Sequence, residues 1–318
     1  MGVRPLSNAP YNTRLFIKPR GTPIVHPPAR KLSNNPLTNK PLAIKPLAIK
    51  SLATVLLAFA LGVTSGQALA DTVLITGANQ GIGLEFAKQY AARGWTVIAT
   101  HRRPTTPEEL AQLAAKYPKV RIERMDVTDA VQIEALGTKL KGVPIDVLLS
   151  NAGLVRTDPI DKPGGNTNQM FGTLDYKLLD DFIHTNVAGP LKISETFIGN
   201  VEASRQKKII AISSAAASVS VPPFMPNGSP VPDHYWYRIS KAALNSAMRL
   251  LSAQLKGAGV TVVMFHPGGV QVESFGNVKL PGFVPPEEAI GKMIKTIDGL
   301  TLKDTGRFMD NDGKDHPW

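Results

Sequence analysis

The feature that most constrains the fold of this chain is an alternation of short apolar runs with amphipathic stretches, which begins at Asp71. The apolar runs predict β-strands at residues 72–76, 96–100, 120–125, 145–150, 208–212 and 260–265. Helical periodicity predicts helices at residues 84–93, 108–117, 131–140, 177–201 and 238–256. Such alternation is typical of a parallel sheet covered by helices on both faces. The sequence therefore predicts an α/β fold, a doubly wound parallel sheet of the Rossmann type in a single domain.

A glycine-rich turn, Thr-Gly-Ala-Asn-Gln-Gly-Ile-Gly at 76–83, follows the first predicted strand and precedes the first predicted helix. In a dinucleotide-binding fold such glycines make a tight turn, let the backbone approach a pyrophosphate and present a helix N-terminus to it. An ordinary strand–helix loop is the alternative, because a glycine-rich turn alone is weak evidence. Its position at the start of the alternating region favours dinucleotide binding.

Tyr237 and Lys241 lie one helical turn apart in the run Tyr-Arg-Ile-Ser-Lys. Residues four apart share a helix face, so the Lys241 ammonium is expected to favour the ionised form of the Tyr237 phenol. A phenol with a lowered pKa is a usable acid or base at neutral pH. On many helices such a pair is merely solvated. Its occurrence downstream of the glycine-rich turn indicates a nucleotide-dependent oxidoreductase.

The charge of the chain is concentrated at its N-terminus. The formal net charge is +11, but the first 70 residues hold nine basic residues and no acidic one, which leaves 27 basic and 25 acidic residues after them. The nearly neutral body gives no support to a nucleic-acid partner. The chain has no cysteine, which excludes disulfides, thiolate metal sites and thiol nucleophiles.

The N-terminal region divides into a basic extension at 1–50, predicted to be disordered, and an apolar, signal-like segment at 51–70. The segment ends in Ala68-Leu69-Ala70, which has the form of a cleavage site before Asp71, so export to a periplasm or lumen is expected. Its apolar run is too short for a stable membrane span, which needs roughly 17–25 residues. An uncleaved peripheral tail, or a cytoplasmic protein whose start codon is misassigned, is the alternative. Residues 71–318 form the predicted NAD(P)-binding domain.

The glycine spacing, Thr76-Gly77-x-x-x-Gly81-x-Gly83, resembles that of the short-chain dehydrogenase/reductase family. The resemblance covers the body through Asp126-Val127, Asn151-Ala152-Gly153, Asn186, Ser213-Ser214, Tyr237-x-x-x-Lys241 and Pro267-Gly268. The runs at 185–191 and 237–245 and the ending at 306–318 are similar to the C-factor/sniffer-like carbonyl reductases.

The resemblance implies a catalytic role for four residues. Tyr237 would exchange a proton with a carbonyl or alcohol while hydride moves to or from a nicotinamide, and Ser214 would bond the same oxygen. Lys241 would hold the nicotinamide ribose, and Asn186 would bind a water that links Lys241 to solvent. The alternatives are structural, since Ser214 could cap a strand end and Asn186 could be a surface amide.

The resemblance also implies a cofactor site. Its expected contacts are Tyr237, Lys241, Gly77, Asn79, Gln80, Gly81, Ile82, Gly83, Arg102, Asp126, Val127, Asn151, Ala152, Gly153, Pro267, Gly268 and Val270. The second predicted strand ends in His101-Arg102-Arg103 without a carboxylate, which favours the extra phosphate of NADP(H). NAD(H) is the alternative cofactor if Arg102 and Arg103 are solvated loop residues that do not bind a phosphate.

Two departures from the family pattern stand out: a proline-rich insert at 221–232, and Val272 where relatives carry a threonine. The expected function is NADP(H)-dependent reduction of a small-molecule carbonyl, or oxidation of the alcohol. The alternative is a catalytically slow dinucleotide-binding protein that signals or interacts with a partner. The sequence does not identify the substrate or determine whether the protein forms a homo-oligomer.

Overall fold

The computed structural model describes residues 70–155, 169–221, 234–273 and 282–318. They belong to one compact unit that extends from Gln67 to Trp318. The predicted basic extension, the signal-like segment up to residue 69 and the proline-rich insert from residue 222 lie outside the described residues. No described helix is both long and apolar enough to cross a membrane.

Seven parallel strands form the central sheet, in the order β3-β2-β1-β4-β5-β6-β7. They are β1 Thr72–Ile75, β2 Thr96–His101, β3 Val120–Arg124, β4 Val147–Ser150, β5 Lys208–Ile212, β6 Thr261–His266 and β7 Phe308–Asp310. The six predicted strands are confirmed, with ends shifted by up to two residues. The short strand β7 was not predicted, because three residues show no usable periodicity. The strand order reverses between β1 and β4, and doubly wound sheets bind ligands at this point.

The helices are α1 Gly81–Ala92, α2 Glu108–Lys116, α3 Ala130–Lys139, α4 Leu178–Ile183, α5 Gly189–Glu202, α6 Tyr235–Leu255 and α7 Pro286–Gly299. The five predicted helical regions are confirmed, whereas α7 was not predicted. The region predicted as one helix at 177–201 is α4 and α5 joined by a π-helix, His184–Ala188. Pro190 has no N–H for an α-helical bond to the carbonyl of Asn186, which accounts for the irregularity.

The helices cover both faces of the sheet, which confirms the doubly wound architecture. One face buries apolar side chains of α1, α2 and α7, including Phe86, Leu110 and Met293. The other buries side chains of α3, α5 and α6, including Phe197 and Met248. Each fully buried side chain of this kind contributes about 1.5–3 kcal/mol to folding. Burial on both faces explains why the strands have continuous apolar runs.

Candidate active site

The glycine-rich turn at the end of β1 needs glycine for two separate reasons. Gly77 and Gly81 have φ angles of 66° and 55°, in the left-handed region that favours glycine. At Gly83 the reason is space, since a Cβ there would lie 2.3 Å from the carbonyl oxygen of Gly77. The predicted tight turn and close packing are therefore present, and the N-terminus of α1 begins at the carboxyl end of β1.

Asn151 holds this turn against the end of β4. Its Nδ2 donates hydrogen bonds to the carbonyl oxygens of Thr76 and Gly77, at 2.9 and 3.1 Å. The backbone N–H groups of Asn151 and Ala152 both donate to Thr76 Oγ1 at 3.0 Å. The sequence expectation placed Asn151 beside a cofactor, and the structure shows that its amide group is occupied in shaping the turn.

Two guanidinium groups flank the turn at the end of β2. Arg102 Nη1 lies 4.0 Å from Asp126 Oδ2, and the Arg102 side chain is 68% exposed. Arg103 Nη2 donates a hydrogen bond to Gln80 Oε1 at 2.6 Å. The structure thus brings together the predicted residues Arg102, Asp126 and Gln80, and adds Arg103 to them.

Tyr237 is the third residue of α6 and is half-buried. Burial raises the pKa of its phenol, and a hydrogen bond to the Ser214 side chain partly opposes that rise. The expectation that Lys241 lowers this pKa is therefore wrong for this structure. The physical reason is burial, because the loss of solvation exceeds the effect of the Lys241 ammonium, whose Nζ lies 5.8 Å from the centre of the Tyr237 ring.

Ser214 has a second contact besides Tyr237. Its Oγ accepts a hydrogen bond from the Ala216 N–H at 3.1 Å and so caps a short 3₁₀ helix, Ala215–Ala217. The capping role and the contact with Tyr237 therefore coexist. The hydrogen bond from Ala216 fixes the position of the Ser214 hydroxyl relative to the Tyr237 phenol.

Lys241 is buried one turn after Tyr237, with 5% of its surface exposed. Its Nζ donates a hydrogen bond to the carbonyl oxygen of Ile212, at the end of β5, at 2.8 Å. Burial lowers the pKa of Lys241 to about 8. A Cβ at Gly153 would lie 3.4 Å from Lys241 Nζ, so the loop after β4 lies against the ammonium.

Asn186 lies in the π-helix and is fully buried, which excludes a surface amide. Its Oδ1 accepts from the Leu154 N–H at 2.7 Å. Its Nδ2 donates to the Leu154 carbonyl and to Ser240 Oγ, both at 2.8 Å. Both amide hydrogens are therefore used within the protein, so the side chain is poorly placed to hold the predicted water.

The loop after β6 closes the other side of the crevice. Gly268 has a φ of 81°, and Asn311 Nδ2 donates to the Pro267 carbonyl at 2.8 Å. Val270 is buried and pairs with Val284. A Cβ at Gly81 would lie 3.4 Å from Val272 Cγ1, so this loop lies beside the glycine-rich turn.

The other predicted contacts belong to the same elements. Val127 is buried after β3, and Asn79 and Ile82 are half-buried in the turn. Sequence reasoning missed Asn311, Ser240 and Gln169. Asn311 and Gln169 act through hydrogen bonds to distant backbone groups, and Ser240 accepts from the side chain of the distant Asn186. Among the described residues, no cluster of three or more His, Asp or Glu side chains could hold a metal ion.

Known proteins share both the sequence pattern and the fold. A family model described as short chain dehydrogenase matches residues 71–280. The 1-hydroxy-2-glutathionyl-2-methyl-3-butene dehydrogenase of Rhodococcus sp. (strain AD45) is 32% identical over 253 residues, which cover 78% of this chain and the whole relative, 100%. The C-signal of Myxococcus xanthus is 28% identical over 186 residues, which cover 58% of this chain and 100% of the relative.

A solved structure shows the same likeness. The crystal structure of an NADPH-bound carbonyl reductase from chicken fatty liver superimposes with a TM-score of 0.67 and 32% identity, over 78% of this chain and 99% of that chain. The likenesses to this reductase and to the C-signal agree with the resemblance to the C-factor/sniffer-like group. With the family model matching most of the body, the chain belongs to the short-chain dehydrogenase/reductase family of oxidoreductases.

Proposed function

We propose that this enzyme reduces a carbonyl to an alcohol, or catalyses the reverse, with NADP(H) as cofactor and Tyr237 as the acid/base. The observation that carries the proposal is that the Tyr237 phenol and the Ser214 side chain lie together, one helical turn from the buried Lys241. These side chains lie at the carboxyl ends of the strands, near the reversal of strand order where ligands bind in this fold.

The residues present fit a dinucleotide. The glycines of the turn leave main chain rather than side chains at the N-terminus of α1, which suits a pyrophosphate. Arg102 is exposed at the end of β2 with no carboxylate in the strand's last positions, and its planar guanidinium suits a 2′-phosphate. The NADPH in the chicken reductase, 32% identical to this chain, supports the same choice. NAD(H) is the alternative cofactor.

When bound, NADPH supplies the hydride that adds to the carbonyl carbon. Tyr237 donates its phenolic proton to the carbonyl oxygen, and the Ser214 hydroxyl donates a hydrogen bond to the same oxygen, so negative charge does not accumulate on it. The raised pKa of Tyr237 keeps the phenol protonated at neutral pH, as a proton donor requires.

The phenolate that remains on Tyr237 must regain a proton, and Lys241, whose Nζ lies 5.8 Å from the centre of the ring, is the proposed source. With a pKa of about 8, Lys241 can both give up and recover a proton near neutral pH. The Asn186 side chain is occupied by Leu154 and Ser240, so a water would bind the backbone carbonyl of Asn186 instead. Pro190 supports this placement, because it cannot donate an α-helical bond to that carbonyl.

A second candidate function is a slow dinucleotide-binding signalling protein. The observation that favours it is the similarity to the Myxococcus xanthus C-signal, which covers 58% of this chain. Tight cofactor binding without turnover across a broad panel of carbonyl compounds would support signalling. Steady turnover would support the reductase.

The test is fluorescence titration of the purified full-length protein with NADPH and NADH, followed in the same cuvette by a panel of aldehydes, ketones and quinones. We expect saturable NADPH binding, weaker NADH binding, and oxidation of NADPH that depends on the carbonyl. Tyr237→Phe serves as the matched control for background oxidation. A folded sample that binds neither nucleotide would contradict the proposal.

We further propose that the segment ending in Ala68-Leu69-Ala70 directs export and is removed before Asp71. Its three-part composition supports this reading. Intact-mass analysis of the mature protein checks it, since a chain that retains residues 1–70 in the cytoplasm would contradict export.

A further inference from the structure

We infer that Gln169 is a positioning residue for Tyr237: its buried amide fixes the first turn of α6 relative to the loop after β4. The inference rests on the proposed role of Tyr237 as the acid/base. It concerns how the protein holds that phenol in place, which the motif Tyr-x-x-x-Lys does not reveal.

The first turn of α6 lacks a cap of its own. The residue before the helix, His234, makes no capping hydrogen bond with its side chain. The first N–H groups of any helix have no partner within the helix and need acceptors from elsewhere. Gln169 supplies one, since its Oε1 accepts from the Tyr237 N–H at 3.2 Å across a sequence separation of 68 residues.

The other end of the Gln169 amide contacts the loop after β4. Its Nε2 donates to the carbonyl oxygen of Val155 at 3.3 Å. The side chain is fully buried, with no exposed surface, so water does not compete for either bond. An amide buried in this way needs both partners, because an unsatisfied polar group inside the protein is costly.

A second connection reaches Tyr237 from the same loop. Asn186 binds both backbone groups of Leu154 and donates to Ser240 Oγ at 2.8 Å. Ser240 Oγ in turn donates to the Tyr237 carbonyl oxygen at 2.8 Å. Two neighbouring loop residues, Leu154 and Val155, are thus linked to the N–H and the C=O of the same tyrosine.

The chain that follows Gln169 strengthens the contact. Trp236 Nε1 donates to the Asp175 carbonyl at 2.9 Å, and the rings of Trp236 and Tyr176 pack edge to face at 5.3 Å. These contacts hold the helix but do not touch Tyr237. Gln169 alone in this segment bonds the backbone of the catalytic tyrosine, so its loss is expected to displace the phenol rather than unfold the helix.

The test compares Gln169→Met, which keeps length but loses both bonds, with Gln206→Met. Gln206 also makes two side-chain hydrogen bonds, with Asp71 and Lys208, but at the amino ends of the strands β1 and β5. We expect kcat to fall about tenfold in Gln169→Met, because small displacements of a catalytic group are costly. The KM for the carbonyl and the dissociation constant for NADPH should stay near wild type, and Gln206→Met should keep its kcat.

Gln169→Glu provides the conservative rescue. Burial favours the neutral carboxylic acid, whose carbonyl oxygen accepts from the Tyr237 N–H and whose hydroxyl donates to the Val155 carbonyl, so both bonds are kept. We expect its kcat to lie closer to wild type than that of Gln169→Met. Equal losses in the two variants, or an unchanged kcat in Gln169→Met, would overturn the inference while leaving the reductase function intact.

A readout that needs no turnover separates this inference from the proposed function. The full chain labelled with ¹⁵N-tyrosine has six tyrosines, and Tyr237→Phe identifies the Tyr237 signal by its absence. We expect the Tyr237 amide hydrogen to exchange faster in Gln169→Met and to stay protected in Gln169→Glu. Unchanged exchange in Gln169→Met would overturn the contact even if the wild-type protein reduced no carbonyl, an outcome that would by itself contradict the proposed function.

Discussion

The nucleotide-binding half of the molecule (β1 to β3 with α1) and the catalytic half (β4 to β6 with α6) are shaped in different ways. In the first, main chain forms the surface, and three glycines set its path within eight residues. In the second, buried amides join residues 14 to 68 positions apart, as the contacts of Asn186 and Gln169 show. Local sequence therefore sets most of the first half, with Asn151 holding its turn from the end of β4, whereas tertiary packing specifies the second.

The two halves also treat charge differently. Arg102 carries its charge in an exposed guanidinium, where salt screens its interactions. Lys241 carries its charge inside the protein, where burial lowers its pKa to about 8. We therefore expect the nucleotide-binding half to respond to ionic strength and the catalytic half to respond to pH.

The largest effect is expected from Tyr237→Phe, which removes the proton donor and keeps the ring. General acid catalysis contributes roughly 10²–10⁴-fold, so carbonyl reduction should fall to the background rate. NADPH binding should change little, because the ring and both backbone hydrogen bonds of residue 237 stay in place. Steady-state kinetics with nucleotide titration checks both, and unchanged turnover would contradict the assigned mechanism.

In the nucleotide-binding half, Gly83→Ala is expected to damage folding and binding together. The new Cβ would lie 2.3 Å from the Gly77 carbonyl oxygen and 2.4 Å from Asn151 Nδ2. Overpacking of this kind destabilises a fold by about 1–3 kcal/mol. A displaced turn that loses a similar free energy of NADPH binding raises the dissociation constant more than tenfold, since about 1.4 kcal/mol corresponds to a factor of ten.

Gly199→Ala is the matched control for Gly83→Ala. It lies within α5 with no atom within 4 Å of the added Cβ, so the fold should be unharmed or slightly more stable. Thermal unfolding and NADPH titration compare the two variants. Retained NADPH affinity in Gly83→Ala would show that the turn is not part of the cofactor site.

The comparison explains which parts of the molecule were predictable. The strands and the glycine-rich turn could be predicted, because each depends on a local pattern. The catalytic roles of the four proposed residues rest on the family resemblance and stay predictions. The π-helix was not predicted, although Pro190 marks the missing N–H, because the surrounding residues keep helical periodicity. Strand β7 and helix α7 lay beyond the last predicted strand and were missed.

The electrostatics of the site were harder to predict than its members. Spacing places Lys241 on the same face as Tyr237, but it does not reveal how much solvent either side chain loses. Burial raises the pKa of Tyr237, against the prediction, because desolvation exceeds the effect of an ammonium 5.8 Å from the ring. Gln169 was missed for a related reason, since a lone glutamine carries no spacing that points to α6.

Arg102→Ala tests the cofactor preference of the nucleotide-binding half. If the guanidinium binds the 2′-phosphate, a hydrogen bond to a charged group is lost, and NADPH should bind about tenfold more weakly or worse. NADH, which lacks that phosphate, should bind as before. Arg93→Ala, which removes an arginine paired with Asp298, is the control and should leave both nucleotides unaffected. Equal losses for NADPH and NADH would contradict the assignment.

The smallest effect concerns the cost of burying Lys241. Its folded-state pKa of about 8 lies below the ordinary 10.5, so between these values the unfolded chain holds one more proton than the folded chain. Below pH 8 the charged lysine therefore makes its full destabilising contribution to the cofactor-free fold. This contribution disappears as the pH rises toward 10.5. Lys241→Met should remove it.

Two opposing contributions set the change in folding stability of Lys241→Met. Removing the buried charge gains about 3 kcal/mol at pH 7, while leaving the Ile212 carbonyl without its donor costs about 1 kcal/mol. Cofactor-free Lys241→Met should therefore be more stable than wild type at pH 7, and the difference should shrink and then reverse as the pH approaches 10.5. Chemical denaturation across that range measures it. A difference that stays constant with pH would show that Lys241 keeps its ordinary pKa, and would remove it as the source of the proton for Tyr237.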